Sequence, residues 1–512
     1  MDTDLKQPQL DAPLVVRSSH ISYWLALACI VFTVYILRSS RNGDLVDAPL
    51  YKAGRLKWMT DAENLVRDSY NKYYNRVYKI KATEGIQVLI PPKYLDELRN
   101  LPEDTLSSTE ALREAMLSKY TGFCPGHNAE LLSTLIRTKL TQNLARLVPQ
   151  LKGELEYVVG TEFPECRDWT SIKLQPFVVR AVARMSGHAF VGPALSRNEE
   201  WMDTSINYAV HVFLAAVQLQ FFPAWMRPAA QYLVPHLRYV NRDIAAAERM
   251  VLPILEQRLR DMETPGFDAQ KPDDFCQWLL ESLPESEKAD VRVQAHLQLI
   301  VSAAAIHTTT NLAVDCLFDL AAHPDVQEDL RQEVYEVLEC DDGWSKKESM
   351  SKLKKMDSFI KEVQRFAGNV TAFIRKVIKP IELSDGTHLP TGTKLLTPLA
   401  GICHDGDFYS DPETFDALRF YRLRQQSADD ANRHQFTTMG DSVNMHFGAG
   451  KHACPGRFFA GNAIKMMLAY FLLNYDLKLK DGEARPKSMM VMMSKTPNPK
   501  AEILFRRRTA AA

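Results

Sequence analysis

The chain has 512 residues, 46% hydrophobic and 24% charged, with a net charge of −1. This is a globular composition with ample material for a large core, and its balanced charge gives no footing for a nucleic-acid partner. Its eight cysteines lie without any C-x-x-C pair or zinc-type spacing, which excludes a disulfide scaffold and fits a reducing compartment.

Length alone suggests about three domains. No repeat, low-complexity tract or Gly/Ser linker divides the chain, so one large domain is expected behind an N-terminal appendage. Residues 1–19 are polar, and Ile21 to Leu37 is apolar and free of charged side chains. As a helix this run rises about 25 Å, slightly short of a usual span but sufficient for a thin membrane with Tyr23 and Trp24 at its interface. The acidic start and the Tyr-Ile-Leu-Arg end argue against a cleaved signal peptide. The expectation is a lumenal tail (1–19), a transmembrane anchor (20–38), a linker (39–59) and a domain over 60–512. The excess of Lys and Arg after the run places that domain on the cytosolic side.

Further along, Lys57 to Arg76 is amphipathic and reads as helix, and Val77 to Pro92 alternates as a hairpin. Ala129 to Leu151 is a second helical stretch, containing Arg137. Between Ser205 and Val234 the chain is oily, which suits buried packing or the lip of a channel dipping into a bilayer. A segment from about Ser286 to Ala322 has no internal Gly or Pro and would span roughly 55 Å as one helix. Its middle, Leu297 to Val314, lacks charged residues, yet its Gln, Ser, His, Asn and Thr content argues for a buried central helix instead of a membrane span. There Ala303-Ala304-Ala305-Ile306-His307-Thr308 leaves room beside a hydroxyl.

In the C-terminal half, Asp357 is expected to cap a helix running to Phe366, with Glu362 and Arg365 on one face. Strands with turns at Asp385-Gly386 and Pro390-Thr391-Gly392 follow, with Arg375 just before the first. Gln425 to His434 reads as a surface loop, and Met489 to Met493 as a buried strand. Before a helix over Phe458 to Leu473 comes Phe447-Gly448-Ala449-Gly450-Lys451-His452-Ala453-Cys454-Pro455-Gly456. Its glycines permit close approach of a flat group, and the coming helix N-terminus favours a thiolate at Cys454.

The spacing of Phe447, Gly450, His452, Cys454 and Gly456 resembles the haem-ligand signature of the cytochrome P-450 superfamily, with His452 where Arg is usual. Ala304-Ala305-Ile306-His307-Thr308-Thr309 resembles that superfamily's oxygen-activation motif, with Ala305 for Gly and His307 for an acid, a version similar to fungal members related to ent-kaurene oxidase. Glu362-x-x-Arg365 with Arg419 resembles its Glu/Arg/Arg lock. The resemblance covers roughly residues 60–505. It implies a mainly helical fold with a small β-sheet region, and haem b held by Cys454 with Phe447, Gly450 and His452 around it. Arg137 and Arg375 would meet the propionates; the Trp usual before the former is Ser133 here. Thr308 would deliver protons, while His307 is a relay or a core histidine. Ala304, Ala305, Val370, Thr371, Phe373 and Met492 would line the substrate pocket.

The implied activity is a monooxygenase using O2 and NADPH-derived electrons. These would come from a separate reductase, with cytochrome b5 as a further donor, since no nicotinamide or flavin fingerprint is visible. The substrate would be an apolar secondary metabolite, a terpenoid or meroterpenoid, with polyketides and indole alkaloids as rivals. A haem-thiolate isomerase or dehydratase, or a non-catalytic haem protein, is the alternative of another class.

Overall fold

The computed structural model describes residues 46–509, apart from 83–84, 268–270, 347, 439–441 and 492. The expected anchor and Met492 lie outside the described residues. In chain order the elements used below are β1 (Leu50–Tyr51), α1 (Ala62–Lys72), β2 (Tyr78–Ala82), β3 (Gly85–Leu89), β4 (Leu106–Ser107), α2 (Ser108–Ala115), α3 (Leu144–Glu162), β5 (Thr170–Lys173), α4 (Leu174–Val191), α5 (Glu199–Gln220) and α6 (Pro235–Met262). The second half supplies α7 (Val291–Ala322), α8 (Lys354–Ala367), β6 (Ala372–Val377), β7 (Lys394–Thr397), α9 (Arg457–Asn474), β8 (Tyr475–Lys478), β9 (Met489–Val491), β10 (Ser494–Thr496) and β11 (Glu502–Arg507).

Helix α7 is the axis of the molecule. Asp290 caps it by accepting the Arg292 N–H at 2.9 Å, and Pro324 opens the helix that follows. It packs against α4, α5, α6, α8 and α9. Among the described residues it is the one helix long and apolar enough to cross a membrane, yet 67% of its apolar window is buried. Its Gln, Ser and Thr side chains thus belong to a core helix, as their polarity predicts.

A six-stranded sheet in the order β1-β2-β3-β7-β6-β4 flanks the helices. The predicted hairpin is its β2–β3 pair, with Tyr78 opposite Leu89. Strand β6 pairs antiparallel with β7, and a bulge separates Ala372 from Arg375. A second sheet, β8-β11-β5, joins the C-terminus to the strand before α4. Phe163 ties this sheet to the helices, with its ring 4.8 Å from Phe177, 5.4 Å from Phe471 and 5.2 Å from Phe505. Such aromatic pairs add about 0.5–1.5 kcal/mol each beyond burial.

Several local expectations change. The stretch Ala129 to Leu151 is not one helix: a π-turn over Ile136–Leu140 separates Ala129–Leu135 from α3. Asp357 is no cap, because α8 begins at Lys354 and Asp357 is buried inside it. Its carboxylate is claimed by Lys465 at 2.5 Å, Arg424 at 3.0 Å and the Phe436 N–H at 2.8 Å. Arg375 lies within strand β6 and not before it. Part of the expected 425–434 loop is a helix, Ala428–Arg433, capped by Ser427. Met489–Val491 forms the short strand β9, paired with β10, and Met489 is exposed, so it is not a buried strand.

Candidate functional site

The cysteine loop is shaped by two left-handed glycines, Gly448 at φ +75° and Gly450 at φ +66°. At Gly450 a Cβ would sit 2.1 Å from the Arg99 carbonyl oxygen, so no other residue fits that turn. The Cys454 N–H donates to the Phe447 carbonyl at 2.7 Å, folding the loop back on itself. Arg457, at the start of α9, donates to the carbonyls of Cys454 at 3.0 Å and Thr437 at 3.1 Å. Arg457 therefore braces the loop from within, although with Lys451 it could be read from sequence as a docking patch. Burial pushes the Cys454 thiol up, opposed by the N–H groups of Gly456 and Arg457 and by the Arg457 charge. The helix N-terminus alone does not make a thiolate; coordination to a cation would.

Behind the loop, Arg365 clasps Glu362 through Nε at 2.9 Å and Nη2 at 2.8 Å, and both side chains are essentially inaccessible. The remaining Arg365 hydrogens go to the carbonyls of Cys403 at 2.7 Å, Pro412 at 2.6 Å and Thr414 at 3.2 Å. Arg419 donates to the same Glu362 at 3.2 Å and to the carbonyls of Thr414 and Ser410. The sequence-predicted trio is thus one hydrogen-bonded unit. It staples α8 to the Asp411–Arg419 turn.

Two residues that the sequence reading passed over extend the unit. Cys403 Sγ lies 3.5 Å from His446 Nε2, and His446 immediately precedes Phe447. The His446 ring lies over Gly368, where a Cβ would come within 2.5 Å of it. Burial drives its pKa down to about 3. No spacing rule marks this pair. Lys465 had a visible signal, as the one charged residue between Phe458 and Leu473.

Arg375 and Arg137 are the residues expected at the propionates, with His452 near them in the loop. Arg375 is 6% exposed, its Nη2 has no hydrogen-bond partner, and burial lowers its pKa to about 10. His452 instead faces Glu103, with Nε2 at 3.3 Å from Oε1, too poorly aligned for a hydrogen bond. Glu103 is held by Ser107 Oγ at 2.5 Å and by Ser108 N and Oγ at 3.0 and 2.6 Å, which depress its pKa to about 2. Arg137 is exposed on its π-turn, close enough to act on the titration of both His452 and Arg457.

On α7, Ala304 and Thr308 are exposed and Ala305 is half-buried, a strip one turn long in the middle of a helix whose other exposed residue, Arg292, lies at its N-terminus. The Thr308 hydroxyl donates to the Ala304 carbonyl at 2.8 Å. His307 points elsewhere, with Nε2 at 2.8 Å from the Ile206 carbonyl of α5, and burial holds its pKa down. It is placed as a neutral core histidine that ties α7 to α5.

The expected pocket residues after α8 are packed inside the fold. Val370, Thr371 and Phe373 are buried, and Thr371 bonds Met493 Sδ at 3.2 Å. Phe373 has φ +52°, a left-handed conformation costly for an aromatic residue, and its ring lies under the Arg375 guanidinium at 4.4 Å. The bulge that results leaves Ile374, 42% exposed, as the accessible apolar side chain of the strand. Alternation along the sequence cannot reveal such a flip.

A Cytochrome P450 family profile matches residues 108–505. The chain belongs to the cytochrome P450 family. It is 38% identical over 458 residues to Cytochrome P450 monooxygenase AN1598 of Emericella nidulans, covering 89% of this chain and 85% of that one. It is 35% identical over 483 residues to Cytochrome P450 monooxygenase BOA4 of Botryotinia fuckeliana, covering 94% and 95%. Among solved structures, retinoic acid-bound cyanobacterial CYP120A1 shares the fold with a TM-score of 0.68 at 17% identity, over 91% of this chain and all of that one.

A cytochrome P450 monooxygenase works with haem b, dioxygen and NADPH-derived electrons delivered by a reductase. The residues present fit the haem. A desolvated guanidinium with an unpartnered Nη2 calls for a carboxylate, and the glycine-shaped loop whose His452 lies within electrostatic reach of Arg375 offers the Cys454 sulfur. When bound, haem would supply dioxygen activation, assisted by electron donation from a cysteine thiolate.

Proposed function

We propose that this cytochrome P450 hydroxylates or otherwise oxidises an apolar secondary metabolite, a terpenoid or meroterpenoid, with polyketides and indole alkaloids as rival substrates. Cys454 is the axial ligand in this reading, Arg375 and Arg137 meet the propionates, and Thr308 holds and passes protons beside the reacting oxygen. The observation that carries it is the accessible Thr308 hydroxyl in the middle of a buried helix packed on α9, whose N-terminus follows Cys454 by three residues. Ile374 supplies an apolar contact for the substrate.

The protein is further proposed to sit on the endoplasmic-reticulum membrane, held by the 20–38 segment, with its catalytic domain towards the cytosol and cytochrome b5 as a second electron donor. Between α5 and α6 the chain exposes Phe221 (68%), Trp225 (50%) and Leu233 (76%), an apolar surface suited to a bilayer. Deleting residues 1–40 is expected to leave residual membrane affinity, which Phe221→Ser with Leu233→Ser removes. A deletion that is fully soluble refutes the second contact.

The deciding experiment is the reduced, carbon-monoxide-bound spectrum of wild type and Cys454→Ser. The red-shifted thiolate Soret band is expected in the first and absent from the second. An imidazole-type band in wild type would overturn the assignment of Cys454.

A further inference from the structure

Helices α5 and α6 run antiparallel, cross-linked by Glu200–Arg249, His211–Asp243 and Gln218–His236. Two of these contacts share a pattern. His211 Nδ1 lies 2.6 Å from Asp243 Oδ2, and His236 Nδ1 lies 3.0 Å from Gln218 Oε1. An acceptor at each Nδ1 fixes the proton there and leaves the Nε2 lone pair free on both rings. Neither Nε2 has a hydrogen-bond partner among the described residues.

The two rings also lie close together. Asp243 lies about two helical turns beyond His236 on α6, and Gln218 about two turns beyond His211 on α5, so the two contact levels are about 10 Å apart along the axes. The imidazole centroids are only 6.0 Å apart. The ring planes are tilted 46° to each other, and each ring keeps its Nδ1 on its own acceptor. Two imidazoles bound at about 2.0–2.1 Å to one tetrahedral zinc hold their ring centres about 5–6 Å apart.

We propose that His211 and His236 form a site for a divalent transition-metal cation of the zinc or copper type, bound through both Nε2 atoms and bridging α5 to α6. The Asp243 carboxylate behind His211 is the outer partner that orients a metal-binding histidine, and Gln218 plays that part for His236. Tyr239 flanks both rings at 5.1 and 5.6 Å, and Arg242 approaches Asp243 Oδ1 at 3.9 Å. Among the described residues no group of three His, Cys, Asp or Glu could hold a metal ion, so water would have to complete the shell of this two-histidine site. This site stands apart from the haem cradle and does not depend on the substrate reading.

The test is zinc titration of the full-length, haem-loaded protein without a polyhistidine tag, read by competition with a chromogenic chelator. One equivalent is expected to bind in wild type and to be lost in both His211→Ala and His236→Ala, while Asp243→Asn weakens it about 10- to 100-fold. Zinc-edge X-ray absorption should report two imidazole nitrogens at about 2.0 Å. If His211→Ala does not fold, His236→Ala, on the first turn of α6, decides alone. Wild-type zinc affinity in His236→Ala, or no zinc bound by wild type, overturns the proposal.

Discussion

The two sides of the cysteine loop are built by opposite means. Behind it, Glu362, Arg365, Arg419, Asp357 and Lys465 are buried ions whose partners are fixed side chains and backbone carbonyls. In front of it, α7 presents Ala304 and Thr308, and the bulged strand presents Ile374, all accessible and little bonded. The difference teaches where sequence can vary. A buried ion network tolerates no missing member, because each loss leaves another charge unpaired. The accessible face can change shape without unfolding the protein.

That contrast can be broken most severely from the cradle side. Arg365→Ala should strand Glu362 and cost about 3–5 kcal/mol, giving a protein that retains no haem and unfolds at lower denaturant. Arg365→Lys should fail similarly, since a lysine cannot serve Glu362 and three carbonyls from one plane. Stable folding with full haem content in either variant would show that the network is dispensable.

The pH dependence sharpens it next. His446 has a folded pKa of about 3 against an ordinary 6.5. Below pH 6.5 the unfolded chain takes up a proton that the folded protein refuses, so stability falls with pH down to about 3, by up to about 1.4 kcal/mol per unit. In His446→Asn that slope should be shallower between pH 6 and 4 in urea titrations. An unchanged slope would mean that His446 is readily protonated in the fold.

On the accessible face the expected stability changes are within about 0.5 kcal/mol. Thr308→Ala should keep haem and melting behaviour but divert most NADPH-derived electrons to peroxide. Coupling of NADPH to product equal to wild type would remove Thr308 from proton transfer. The smallest effect is expected at Ile374→Ala, which should raise KM for an apolar substrate with kcat nearly kept, because contact made equally in ground and transition states is lost.

Much of this was legible because it is written as spacing. The Cys454 loop, the α7 motif and the Glu362, Arg365 and Arg419 trio need particular residue types at fixed separations, and the structure brings the trio together as expected. What escaped was set by backbone geometry or by distant partners. Phe373 alternates like any strand residue, yet its positive φ turns the ring into the core and passes the accessible position to Ile374. Asp357 has the look of a cap, and only the fold brings Lys465 and Arg424 to it. His452 sits where its signature predicts, but Glu103, fastened by two serines in a distant part of the chain, faces it.

The contact of Gly450 with the Arg99 carbonyl has a consequence for how the molecule is made. The cysteine loop is moulded on a segment about 350 residues earlier, so it closes only across most of the chain. Closing so long a loop is entropically costly and slow, and contacts of such separation form late. The cradle is therefore expected to be among the last parts of the nascent protein to reach its final shape, with cofactor capture following synthesis of the C-terminal helix. A fragment lacking the first hundred residues would carry every haem motif and still be unable to assemble the pocket.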